Sequence, residues 1–318
     1  MKKILVTGGA GFIGSSVCDE LLLRGKNVIC LDNFENNYPE KTKLKNIAEA
    51  QKNQNFKLIR GDVRKTEEIE RIFTENRIDA VIHLAAKTGV RPSVQDPAAY
   101  FDTNVKGTIN ILNSCAKHKT NKIIFASSSS VYGSGTKAPF SEESTAIPDS
   151  PYGATKLASE HMCRIYNKLH GLKITCLRFF TVYGPRGRPD MAPYIFTKKI
   201  LNGETISVFG DGTSKRDYTH ITDITAGIML AMEKDMEFEI INLGNSYPIK
   251  LTEFIATIEK TTGKKAKIEY SPEQPGDMKE TCADIRKAER ILGYRPKTGI
   301  EQGMKSFAEW YEAQKQVN

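Results

Sequence analysis

The chain has 318 residues, 39% of them hydrophobic, and a formal net charge of +8. That length supports a sizeable core, and no apolar run approaches the ~20 residues of a membrane helix, so no membrane partner is expected. The positive charge is dispersed, and its densest cluster, Lys264, Lys265 and Lys267, lacks interleaved aromatics; this fits a solvated surface and a site for a polyanionic small molecule, not a nucleic acid.

After Lys2 and Lys3, Ile4-Leu5-Val6 is too short for the apolar core of a signal peptide and reads as the first strand, over 3–7. Gly8-Gly9-Ala10-Gly11-Phe12-Ile13-Gly14 follows at once and opens a helix over 12–24. Glycines at 8, 11 and 14 let the chain turn tightly, admit a pyrophosphate close to backbone N–H groups, and pack helix on strand. The second strand, 27–31, runs into Asp32-Asn33, with Asp32 18 residues beyond Gly14. An aspartate there accepts both ribose hydroxyls and repels a 2′-phosphate. No arginine adjoins it in sequence, so NAD is expected over NADP. A third strand at 56–60 leads to Gly61-Asp62-Val63, where the adenine should lie, and a helix spans 66–75. The fourth strand, 79–84, leads to Leu84-Ala85-Ala86-Lys87, small enough for the chain to pass close to the cofactor.

A helix at 98–118 and a strand at 121–127 precede Ser127-Ser128-Ser129-Ser130-Val131-Tyr132-Gly133. The next helix, 152–169, begins Tyr152-Gly153-Ala154-Thr155-Lys156, and a strand follows at 173–179. Tyr152 and Lys156 share one helix face, and Pro151 suits a first helical position. A neighbouring ammonium, the positive helix end and an oxidised nicotinamide all favour phenolate, which is expected to bring a phenol of reference pKa ~10 toward neutrality. A dinucleotide cradle with a phenol, an ammonium and hydroxyls beside it points to redox chemistry on an alcohol.

The alternation implies an α/β fold: a doubly wound parallel sheet of the Rossmann type with right-handed crossovers. From Tyr183-Gly184-Pro185-Arg186-Gly187-Arg188-Pro189 onward the elements shorten, with helices expected at 193–202, 222–233, 251–262 and 284–292 and strands near 206–209, 239–242 and 267–270. The division expected is a dinucleotide-binding domain over 1–183 and a smaller α/β substrate-binding lobe over 184–318, with approximate boundaries and some interleaving. The six cysteines form no C-x-x-C pair, and all but Cys282 lie in apolar-periodic segments. They read as free buried thiols of a reducing compartment, the cytoplasm.

With these motifs in place, the whole chain resembles the extended short-chain dehydrogenase/reductase family, specifically its NAD-dependent nucleotide-sugar epimerases and dehydratases. The resemblance implies Tyr152 as acid/base, Lys156 holding it and the nicotinamide ribose, and Ser128 hydrogen-bonding the reacting hydroxyl. It places Thr7, Asn104 and Phe180 against the cofactor. Val208-Phe209-Gly210-Asp211-Gly212, leading into Arg216-Asp217-Tyr218-Thr219-His220, resembles the family's uridine-binding strand and diphosphate-binding arginine. Arg216 is then a bidentate donor to the diphosphate, the alternative being a salt bridge with Asp217. In Gln274-Pro275-Gly276-Asp277, glutamine stands where UDP-glucose epimerases carry arginine, so that diphosphate contact is lost or falls to another residue such as Arg91.

The reaction is narrowed by what the serine run lacks. Dehydratases of the family carry Asp-Glu just before Val-Tyr-Gly, and the decarboxylating UDP-xylose synthases keep a glutamate at the position of Ser130. This chain has Ser129-Ser130 there. Without those carboxylates the hydride should return to the opposite face of the same carbon, making a UDP-sugar 4-epimerase. Arg178 through Ala192 resembles the UDP-glucuronate 4-epimerases, as does Gln274 to Asp277. Thr181 stands where hexose epimerases carry Asn, and Arg188 with Ser128, Ser129 and Ser130 suits a carboxylate at C5. UDP-glucose and UDP-N-acetylglucosamine or its uronate are the alternative substrates. A non-catalytic NAD-binding regulator is the alternative class, though it would be expected to lack the tyrosine or lysine. The resemblance also implies a homodimer through the helices at 98–118 and 152–169, although their stripe (Phe101, Val105, Ile109, Leu112; Ala158, Met162, Ile165) would equally serve as core.

Overall fold

Alternate residues of a buried strand face opposite ways, and here both ways lead into core: Ile4 and Val6 pack on one side of the central sheet, Leu5 on the other. The computed structural model of the protein describes residues 2–36, 38–273 and 278–316. The sheet-forming half runs β1 (Lys3–Thr7), α1 (Phe12–Leu23), β2 (Asn27–Asp32), α2 (Glu40–Asn46), β3 (Phe56–Arg60), α3 (Thr66–Glu75) and β4 (Ala80–His83). It continues with α4 (Val90–Gln95), α5 (Pro97–Tyr100), a wide-turn π-helical stretch (Phe101–Lys106), α6 (Gly107–His118), β5 (Lys122–Ser128), α7 (Pro151–His170) and β6 (Lys173–Phe179). The rest comprises β7 (Thr181–Tyr183), α8 (Ala192–Asn202), β8 (Thr205–Phe209), β9 (Lys215–His220), α9 (Ile221–Glu233) and β10 (Phe238–Leu243). Last come β11 (Pro248–Lys250), α10 (Leu251–Thr262), β12 (Lys267–Ser271), α11 (Arg286–Leu292) and α12 (Ile300–Gln316).

Seven strands form the central sheet in the order β3-β2-β1-β4-β5-β6-β10, every pairing parallel. This is the doubly wound α/β sheet expected. The strand near 239–242, expected among the short elements of the smaller lobe, instead extends to 238–243 and pairs with β6 as the seventh strand. Ile221, Ile224 and Ile228 of α9 join the same core as Ile4 and Val6. The chain beyond residue 184 therefore feeds both lobes. The smaller lobe holds a three-stranded sheet (β11-β9-β7) and a parallel pair (β12-β8) around Tyr183, Phe196, Ile206, Tyr218, Phe254 and Phe307. Among the described residues no helix is long and apolar enough to cross a membrane, and all six cysteines are free and buried.

Helix α1 reaches the turn after β1 only because Gly14 lacks a side chain: a Cβ there would sit 2.1 Å from Gly8 O. Gly14→Ala must push the turn off the helix, and should cost about 1–3 kcal/mol of stability by overpacking. Gly299, where a Cβ would meet nothing within 4 Å, serves as control. Gly299→Ala is expected within about 0.5 kcal/mol of wild type, and urea midpoints of the two variants check the contrast.

Candidate active site

In an open parallel sheet the crevice lies where the strand order reverses, because consecutive connections leave for opposite faces. Here the reversal falls between β1 and β4. A cavity of about 860 Å³ opens there, at the upper end of ligand pockets. Gly8, Gly11, Phe12, Ile13 and Gly14 line one end, with Asp32, Asn33 and Val63, and Leu84, Ala85, Ala86 and Lys87 form a wall. Ser128, Ser129, Ser130, Tyr152, Lys156, Phe180, Thr181 and Arg188 line its middle, and Arg216 its far end.

Asp32 is buried, and its carboxylate accepts the backbone N–H of Ala10 (3.1 Å) and of Phe34 (2.8 Å). Among the described residues its ion-pair partner is a lysine: Lys43 Nζ, buried in α2, lies 3.8 Å from Asp32 Oδ1 and donates to Glu35 O. The wall is fixed from beneath by a chain of buried groups. Thr7 Oγ1 accepts the N–H of Leu84 and of Ala85, so its own proton goes to His83 Nδ1 at 2.6 Å. That leaves Nε2 to donate to Thr108 Oγ1, whose hydroxyl in turn donates to Asn104 O. Burial lowers the His83 pKa to about 3, keeping the ring neutral.

Helix α7 starts where Ser150 Oγ accepts the N–H of Gly153 and Pro151 occupies the first turn. A Cβ on Gly153 would lie 2.3 Å from Ser130 O, so glycine lets this helix end press onto the serine run. Tyr152 and Lys156 then face the cavity together. Burial pushes the Tyr152 phenol up, while the neighbouring Ser128 hydroxyl and the charge of Arg188 draw it down. Ser128 and Arg188, not Lys156, are the groups that draw the phenol down here. The Lys156 ammonium donates to Ala126 O at 2.7 Å, and burial lowers its own pKa to about 8.

Several residues singled out in the sequence sit elsewhere. Asn104 is off the cavity; its side chain grips the backbone N–H and O of Lys87 and donates to Thr155 Oγ1. Asp62 is paired with Arg64 at 2.5 Å and accepts from Asn33 Nδ2. Val208 is buried in the smaller lobe's core. Arg91 lies over the Phe209 ring, 4.9 Å from its centroid, and neither lines the cavity. Arg188 forms a bidentate pair with Asp190 (3.0 and 2.5 Å). Arg216 does not bridge to Asp217: it donates to Lys215 O, while buried Asp217 accepts backbone N–H groups of Asn245, Ser246 and Ala283. Gln274 and Asp277 lie outside the described residues. The sequence reading missed Lys43, Tyr38, Tyr100 and Asp190, all on the cavity; of these only Asp190, in the Arg-Pro-Asp run, had a nearby signal.

This geometry has known counterparts. A family model described as GDP-mannose 4,6 dehydratase matches residues 5–307. A UDP-glucuronate 4-epimerase of Thermodesulfobacterium geofontis is 42% identical over 98% of this chain and 96% of its own. The crystal structure of UDP-glucuronic acid 4-epimerase from Bacillus cereus, in complex with UDP-glucuronic acid and NAD, is similar with a TM-score of 0.93 and 40% identity, covering 98% of this chain and 99% of that one. UDP-glucose 4-epimerase from Thermotoga maritima, with UDP-glucose, gives a TM-score of 0.92 at 35% identity over 99% of this chain and 100% of that one. The glycine cradle, the Tyr152–Lys156 face and matches spanning nearly the whole length agree: the chain belongs to the GDP-mannose 4,6-dehydratase family of extended short-chain dehydrogenases/reductases, alongside UDP-sugar 4-epimerases.

Proposed function

We propose that the protein is an NAD-dependent UDP-sugar 4-epimerase and that its substrate is UDP-glucuronate, converted to UDP-galacturonate. The observation that carries the reading is the meeting of Tyr152, Lys156 and Ser128 with the glycine cradle in one cavity, with serines and no carboxylate at 128–130. The residues fit a dinucleotide. At Gly8 a Cβ would lie 2.9 Å from the backbone of Ala85, so glycine keeps the turn close to the wall. Asp32 suits the adenosine ribose, Lys156 the nicotinamide ribose. When bound, NAD supplies a hydride acceptor at the sugar C4 and then the donor that reduces the resulting ketone from its other face.

The chain's own residues do the rest. Tyr152 Oη takes the C4 hydroxyl proton and later gives it back, while Ser128 steadies that oxygen. Lys156, with one N–H held by Ala126 O, presents its charge at the helix end where phenolate forms. Arg216 holds the diphosphate as the sugar turns over. For the C5 carboxylate, Thr181 and the serine hydroxyls donate, with Arg188 behind them; holding it in hydrogen bonds disfavours loss of CO2 from the β-keto acid. A homodimer is proposed on the helix stripe: Leu112 lies in the core, whereas Phe101, Ile165 and Leu169 are exposed on the outer side of the same helices. The buried free cysteines support a cytoplasmic setting.

Tyr152→Phe should lower turnover of UDP-glucuronate by roughly 10²-fold or more with fold and NAD content retained; turnover equal to wild type would remove Tyr152 from the chemistry. Native mass spectrometry of the purified protein should show two chains carrying one NAD each. Bound NADP would overturn the role of Asp32, and a lone chain the dimer. Arg188→Ala should cost on the order of 1.5–3 kcal/mol in kcat/KM for UDP-glucuronate and much less for a neutral UDP-hexose. Equal losses would assign Arg188 to the shared nucleotide or to Asp190 alone. NMR of products from a UDP-sugar panel decides the substrate, and a wild type that turned over only UDP-N-acetylhexosamines or UDP-glucose would replace the uronate.

A further inference from the structure

Beneath the serine run lies a buried ion pair that the chemistry above does not use. Arg178 on β6 stands directly across from Ser127 on β5, so both side chains leave the sheet on the side of α7. There they meet Glu160, one turn beyond Lys156. Arg178 Nε and Nη2 donate to the two Glu160 oxygens at 2.9 and 2.7 Å, and Ser127 Oγ donates to Glu160 Oε1 at 2.5 Å. The side chains of the pair are 4% and 2% exposed. The guanidinium also lies over the ring of Tyr132, 4.7 Å from its centroid, and Tyr132 Oη donates to Asn242 Oδ1 on β10.

Stability alone is a poor reason for this arrangement. Desolvating two charges offsets most of their attraction, and apolar residues of similar volume often do as well. What the pair does achieve is geometric. It ties Ser127, the first serine of the run, to α7 and packs against Tyr132, two residues beyond the last, bracketing Ser128–Ser130. A bidentate fork constrains both distance and angle, as a point charge or an apolar contact would not.

We propose that the Glu160–Arg178 pair is a positioning device that fixes Ser128 against Tyr152, so that the phenol can lose and regain its proton. The proposal rests on the acid/base reading of Tyr152 given above. Its test uses paired substitutions in the cofactor-loaded protein. Glu160→Leu with Arg178→Met removes the fork without leaving a buried charge. Glu160→Gln with Arg178→Gln keeps amide hydrogen bonds to Ser127 and across to the helix. In the Leu/Met protein kcat should fall roughly tenfold or more with KM and bound NAD little changed. Its Tyr152 titration, read as ultraviolet phenolate absorbance against the matching Tyr152→Phe protein, should move up by about one pH unit as Ser128 drifts from the phenol. The Gln/Gln protein should recover most of both. If the Leu/Met chain does not fold, Ser127→Ala reads the same point, because it cuts β5 from Glu160 and leaves the ions paired. A folded Leu/Met or Ser127→Ala protein with kcat and titration like wild type would overturn the proposal, as would activity lost only in proportion to bound NAD. The titration needs no sugar, so it decides the positioning role even if the 4-epimerase reading fails.

Discussion

The structure depends on the reversal of strand order between β1 and β4. Because β1 leads into α1 on one face and β4 leads to α4–α6 on the other, their connections part and leave a crevice between them. The glycine turn and the Leu84–Lys87 wall are the two lips of that crevice. The proton-transfer groups are then brought to it from β5 and α7, whose helix start presses on the serine run.

Within the crevice two electrostatic demands oppose one another. Excluding water strengthens each polar contact, yet it also resists charge on the very groups that must carry it. Burial pushes the Tyr152 phenol up, favouring its neutral form, and brings the Lys156 ammonium down to about 8, which still leaves it charged at neutral pH. Ser128 and Arg188 work against that for the phenol, and Asp190 balances Arg188 so that its charge does not stand alone. The buried neutral His83 shows the other solution, a titratable ring kept uncharged and used purely as a strut.

Strands with two apolar faces, such as Ile123-Ile124-Phe125, declared themselves in the sequence, as did the proline-led start of α7 and the glycine turn. Their patterns are local, and the structure follows them closely. Helix α2 was invisible because Glu-Lys-Thr-Lys-Leu-Lys-Asn carries one apolar residue and no period, and Lys43 went unnoticed with it. The pairing of β10 with β6 was equally hidden, since a strand's own alternation does not name its neighbour. Asn104 is placed against the cofactor by the family resemblance and Asp62 by its position after β3. What no local pattern announces is that Asn104 also binds Lys87 and Thr155, and Asp62 also binds Asn33 and Arg64.

The course of the chain between its two lobes has a mechanical consequence. After β6 it enters the smaller lobe, returns as α9 and β10, leaves again for β11–β12, returns as α11 and ends in α12. Bodies joined by one tether swing like a door; bodies joined by many short tethers behave as springs in parallel, whose stiffnesses add. Wide opening of the cleft is therefore suppressed, leaving small sliding motions of packed elements. Whatever turns over in that cavity must do so inside a vessel of nearly constant shape.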